Sequence, residues 1–267
     1  MKRGICKMCL EDKDLALSHL MPAALYEYFR SGNLPPIKIG HGIVMSTDRQ
    51  TKDYVLCQPC EEILNQGGET WLNPKLATME RIFPLYDLLV QGPADLTDHD
   101  GAAYRAALNP AIESQKIIHY AAGLFWKASV HSWLGGTKEP RIYLGPYSEA
   151  LRKFLRGEAS LPAQIMLNIW ISFPATAQIV MSDPREGKRD QSERTYFTYV
   201  PGVLFVLTIG KTISAELKQL CFATNAGRPI LVSKDLTETD LRNVVPKIPK
   251  DELFLKNAAT KEYSVGQ

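Results

Sequence analysis

Long apolar runs are missing from this sequence of 267 residues. The most hydrophobic stretch, residues 203–209, falls far short of the roughly 20 residues a helix needs to cross a bilayer, so no membrane span is expected. The charged start Met1, Lys2, Arg3 leads into no apolar run before Glu11 and Asp12, which points away from secretion and towards a cytoplasmic location. Excess charge is missing too: 31 Lys and Arg against 29 Asp and Glu leave +2, too little for a field that would gather polyanions over the whole surface. A nucleic-acid site would have to be local. Internal repeats and heptads are absent, which excludes solenoids and coiled coils. With 45% hydrophobic and 22% charged residues, the composition is that of a folded globular chain rather than a disordered one.

Cysteine is scarce, and its placement is informative. Four of the five form two Cys-x2-Cys pairs, Cys6 with Cys9 and Cys57 with Cys60, a usage that fits a reducing compartment and a metal better than a disulfide framework. Thiolates two residues apart can share one ion from a tight turn, and two such knuckles complete a tetrahedron of sulfurs at about 2.3 Å each. Zinc is the default ion. Such a closed site is structural, because it leaves no open position for chemistry. A redox dithiol, which needs only one pair, and an iron–sulfur cluster are the alternatives. Cys221, between Leu220 and Phe222, reads as a buried, inert thiol.

Pattern divides the chain into three stretches. Residues 1–74 read as a small metal-stapled module: two strands around the Gly40-His41-Gly42 turn, a strand at Tyr54, Val55 and Leu56, and a short helix ending at Gly67-Gly68. Residues 75–110 carry Pro84, Pro93, Pro110 and an acidic run at 95–100, which predicts an exposed connection with helical segments. Residues 111–267 then form an α+β domain. There, helical spacing predicts a long buried helix within 111–133, stopped by Gly135-Gly136, and a second over 147–156 with Gly157 past its end. Alternation of period two predicts a strand over 165–172, with further strands at 177–181, 195–200, 203–209 and 229–232 in an antiparallel sheet. The charged run 183–193 reads as a solvated hairpin loop, with phosphate contact as the lesser alternative. The fold class is therefore α+β, a small N-terminal zinc-stapled module followed by helices and a sheet.

One histidine stands out. His19 lies between the knuckles in Leu17-Ser18-His19-Leu20-Met21-Pro22, where apolar neighbours can seat the backbone while the imidazole faces a groove. A neutral imidazole can take a proton from water near pH 7, although a lone histidine is more often a packing residue. His119 and His131, twelve apart, do not have the spacing of a helical zinc pair and read as packing or surface residues, and His41 as an exposed turn residue. Trp126, Trp133 and Trp170 read as core aromatics.

Two cysteine knuckles flanking a strand that ends in His-hydrophobic-hydrophobic-Pro resemble the zinc-containing HNH endonucleases, whose core is a ββα-metal, treble-clef-like unit. The resemblance covers about residues 1–72, and the segments around Leu124-Phe125-Trp126-Lys127-Ala128-Ser129 and Leu144-Gly145-Pro146-Tyr147 are similar to a bacterial variant group of the same kind. It implies His19 as general base, nucleic acid as partner, DNA before RNA, and a divalent ion, Mg²⁺ or Mn²⁺, at the scissile phosphate. The sequence departs from the family in two places. Ser18 stands where a metal-binding aspartate is common, and 61–65 has no histidine. A hydroxyl is a weak ligand for a hard cation. Glu61, Asn65 and Glu69 fall at steps of four, so an unbroken helix would place them on one side, opposite His19, as the remaining donors. Glu61 and Glu62 can equally be acids favoured at a helix start. The competing readings are a catalytically inactive zinc module that binds nucleic acid or protein, and a structural knuckle serving an unrelated activity in 111–267.

Overall fold

A computed structural model describes residues 2–29, 50–78, 80–97, 99, 101–133, 140, 142–175, 177, 180–189, 193–223 and 227–233, together with the strands at 37–40 and 43–46. The architecture is mixed α+β. β1 (Lys2–Ile5) and β2 (Asp12–His19) form an antiparallel hairpin in which Ile5 faces Asp12 across the ladder. Between them the chain makes a tight knuckle: the Cys6 N–H donates to Glu11 O at 2.9 Å and the Leu10 N–H to Cys6 O at 2.9 Å. Leu10 carries the reversal at φ 64°, a left-handed conformation that a residue with a Cβ adopts at some cost. β3 (Ile37–Gly40) pairs with β4 (Ile43–Ser46), as the spacing around the glycine turn predicts, while His41 in that turn lies outside the described residues. β5 (Lys52–Cys57) adds to β2, giving the order β1-β2-β5, and runs directly into α1 (Gln58–Leu64) with Pro59 in its first turn.

Contrary to expectation, the helix does not end at Gly67-Gly68. It continues through a π turn at Asn65–Glu69 into α2 (Thr70–Leu72). The glycines serve close approach instead of termination. A Cβ on Gly67 would run into the His119 ring, and one on Gly68 would lie 2.5 Å from Lys116 O and 2.9 Å from Tyr120 N. A second helix therefore crosses at these two residues.

After α3 (Pro84–Leu89) come β6 (Ala94–Thr97) and β7 (Gly101–Arg105), then α4 (Ser114–Val130) and α5 (Tyr147–Leu155). β8 (Ile165–Ser172), β9 (Arg185–Arg189), β10 (Glu193–Val200), β11 (Val203–Gly210), α6 (Ala215–Gln219) and β12 (Pro229–Ser233) complete the described elements. The large sheet has the order β6-β7-β12-β8-β11-β10-β9. It is mixed where an antiparallel sheet was expected, because β12 returns parallel to β8. Three further differences have local causes. β6 and β7, inside the stretch read as an exposed connection, pair with each other and β7 with β12, so this part of the chain belongs to the sheet. The charged run forms the edge strand β9 rather than a loop, with Arg185 opposite Phe197 and its guanidinium 4.4 Å from that ring. Of the strand expected at 177–181, residues 178 and 179 lie outside the described residues and 177, 180 and 181 carry no strand, with the Ala177 carbonyl taken by Arg81.

The core is continuous across all three stretches. Leu15, Leu56 and Leu64 from the N-terminal part share one buried cluster with Ile118, Phe125 and Trp126 of α4 and with Leu167 and Phe205 of the large sheet. α4 lies between them, with α1, α2 and α5 packed against it, while Tyr120 places its ring 5.9 Å from that of Phe205 in β11. Gly135-Gly136, the expected stop of α4, lies outside the described residues. Among the described residues, no helix is long and apolar enough to cross a membrane.

Candidate metal centre and polar cluster

The knuckle after β1 delivers Cys6 and Cys9, and the junction of β5 with α1 delivers Cys57 and Cys60. Their four sulfurs lie within 4.8 Å of one another, and Cys9 Sγ is 3.9 Å from Cys57 Sγ. A tetrahedron of Zn–S bonds near 2.3 Å has edges of about 3.8 Å, so the spacing suits a metal such as zinc and is far too long for a disulfide. Backbone donors support the cluster: the Cys57 N–H points at Cys6 Sγ from 3.3 Å. Hydrogen bonds from the Cys60 side chain and from the backbone of Cys9, Cys57 and Met8, outweighing burial, bring the Cys6 thiol down to about 4. Cys60 is raised in turn by its bond to that sulfur and by burial. Four sulfurs this close cannot all ionise without a cation among them, so the tetrad could hold a metal ion such as zinc.

The centre is tied to the rest of the molecule by Arg152 of α5. This nearly buried guanidinium donates to Met8 O inside the knuckle at 2.8 Å and is held by Glu149 at 2.7 Å. Cys221, outside the tetrad, is fully buried among Met166 and Ile213.

A second cluster lies where β2, α1 and α4 meet. His19, the last residue of β2, is half-buried and shares a side-chain hydrogen bond with Gln50. Its pKa is lowered by burial, then by the charges of Lys52, its neighbour across the ladder, and Lys127 of α4. Ser18 is buried, and its Oγ accepts from the Leu56 N–H at 3.1 Å while also bonding Glu61. The hydroxyl is therefore spent on holding β5 and Glu61. Glu61, in the first turn of α1, is half-buried with Oε1 lacking a partner; its pKa is raised chiefly by burial, against the attraction of Lys127. Glu69 accepts from Lys127 Nζ at 3.3 Å, and the lysine side chain is only 3% exposed.

The steps of four between Glu61, Asn65 and Glu69 hold only in part. The π turn shifts the register: Glu69 pairs with Lys127, Glu61 lies within its electrostatic reach, and Asn65 is exposed and accepts from the Thr70 hydroxyl at 2.9 Å. Glu62 is exposed as well. His119 packs against Gly67 and bonds Leu155 O through Nε2 at 3.1 Å, and His131 bonds Asp53 at 2.9 Å beside Trp133. His119 is thus a packing residue, and His131 a half-buried partner of Asp53 near the surface.

Reading the sequence missed Lys127, Gln50 and Arg152. Lys127 had a signal: it is the one charge in the otherwise apolar run 121–128. Gln50 and Arg152 had none. Comparison with protein-family models, with curated proteins and with solved structures gives no match.

Proposed function

We propose that the chain is a zinc-tied, HNH-like hydrolase of phosphodiester bonds in nucleic acid, with His19 as general base. The observation that carries this reading is the setting of His19. It is half-buried at a strand end, next to Gln50, where burial first and then the charges of Lys52 and Lys127 favour the neutral imidazole that can accept a proton. Support for the treble-clef, ββα arrangement comes from the first cysteine pair in a hairpin turn and the second at a helix start. In the reaction, water oxygen forms a bond to phosphorus as His19 takes its proton. The ester oxygen leaves with the electron pair of the broken P–O bond and is protonated from solvent. Exposed Lys52 beside His19 supplies positive charge for the phosphate.

The divalent ion that the resemblance implies meets a poor donor set. Ser18 Oγ is engaged by backbone and Glu61, Asn65 faces solvent, and Glu69 is paired with an ammonium. The proposed hydrolysis therefore relies on His19 and Lys52 without Mg²⁺ or Mn²⁺. The same engagement of Ser18 favours the second reading, a zinc module that binds nucleic acid without cutting it. Incubating zinc-loaded protein with DNA and with RNA separates the two. Cleavage that disappears in His19→Ala supports the hydrolase; binding that weakens with salt, with no product formed, supports the module.

A further inference from the structure

Lys127 is a lysine in an apolar place. It stands on α4 between Trp126 and Ala128, both fully buried, and its own side chain is 3% exposed. A lone ammonium there would be strongly unfavourable, and the structure meets the need with carboxylates: Glu69 at 3.3 Å, with Glu61 within electrostatic reach. The position is fixed from several sides. Gly67 and Gly68 let the π turn that carries Glu69 come against α4, and Trp133 Nε1 donates to Lys127 O at 2.8 Å. Carboxylates are what a divalent cation would use, and here the positive charge that Glu69 receives, and that attracts Glu61, comes from the chain itself.

We propose that Lys127 is a built-in counter-ion that closes the Glu61–Glu69 pair to divalent metal. A Mg²⁺ or Mn²⁺ ion entering the pair would be repelled by the ammonium, and displacing it would strand a charge among apolar side chains. Resting on the hydrolase reading, the consequence is that His19 works without added divalent ion. Lys127 is then a positioning residue: it holds Glu61 and Glu69 and bears on His19, and it does not touch substrate.

The test is Mn²⁺ binding read by the loss of the free-ion electron paramagnetic resonance signal, on zinc-loaded chain. Wild type leaves the signal undiminished, Lys127→Met and Lys127→Gln each capture Mn²⁺, and Glu69→Gln added to either variant abolishes the capture. Zinc content and thermal melting establish that each variant is folded, and Lys127→Gln keeps a polar partner for Glu69 if the methionine variant does not fold. Mn²⁺ captured by wild type and lost in Glu69→Gln overturns the proposal, as do folded Lys127 variants that capture none. Because the readout is binding, it stands whether or not the chain cuts nucleic acid. Cleavage that appears only with added Mg²⁺ or Mn²⁺ would contradict the metal-independent consequence while leaving His19 as the base.

Discussion

Arg152 of α5 donates to the carbonyl of Met8 at 2.8 Å, so a side chain from the far part of the sequence holds the first cysteine knuckle in place. Replacing it removes a charge-assisted donor from a buried acceptor, a change that costs about 1–3 kcal/mol. Arg152→Met is expected to melt at lower temperature and to yield zinc to a chelator faster than wild type. Unchanged melting and release would mean that the knuckle does not depend on this contact.

Removing the metal is expected to loosen the junction of β1, β2 and α1 together, since all four sulfurs lie on those connections. Metal analysis is expected to give one zinc per chain, and a strong chelator to lower the melting temperature, with recovery on adding zinc back. Retention of full stability after stripping would remove the structural role of the tetrad.

Gly68 takes the close approach of α4. An alanine there would place its Cβ 2.5 Å from Lys116 O, a backbone atom that cannot swing away. Gly68→Ala is expected to destabilise by about 1–3 kcal/mol, as overpacking does, and to disturb the Lys127–Glu69 pair. Denaturant unfolding measures the first effect.

His19 and His119 both have lowered pKa values, caused first by burial. The folded chain therefore binds fewer protons than the unfolded one as pH falls below 6.5, the ordinary histidine value. Stability conferred by keeping these rings neutral is present above that value and is lost as pH falls through the folded-state values. Thermal melts across this range are expected to drop towards acid, and less so in His119→Gln. For the reaction, the acid limb of the pH profile is expected below 6.5 and to move upward in Lys52→Gln, because removing a nearby positive charge makes the imidazole easier to protonate. A limb that stays put would detach Lys52 from His19.

Much of this was legible from local pattern. The two Cys-x2-Cys pairs were found by spacing, and the alternation over 165–172 gave β8, because a period of two marks extended backbone, although the structure buries both faces of this central strand. What escaped depended on tertiary approach. Gly67-Gly68 reads as a helix stop, yet the pair is used where α4 crosses, and the resulting π turn moves Asn65 away from Glu61 and Glu69. The strands β6 and β9 escaped because the edges of the sheet lack the alternation that a buried face imposes, and β7 because its short run of small residues carries no such alternation either. Lys127 was visible only as an oddity in an apolar run, since its partners lie far away in sequence.

Cleavage of plasmid DNA and of structured RNA by zinc-loaded wild type and His19→Ala, in buffer stripped of free divalent ions, tests the central claim most directly. The account predicts product with wild type and none with the variant, at equal zinc content and equal melting temperature. Equal cleavage by both proteins, or none by wild type with or without added Mg²⁺ or Mn²⁺, would contradict it.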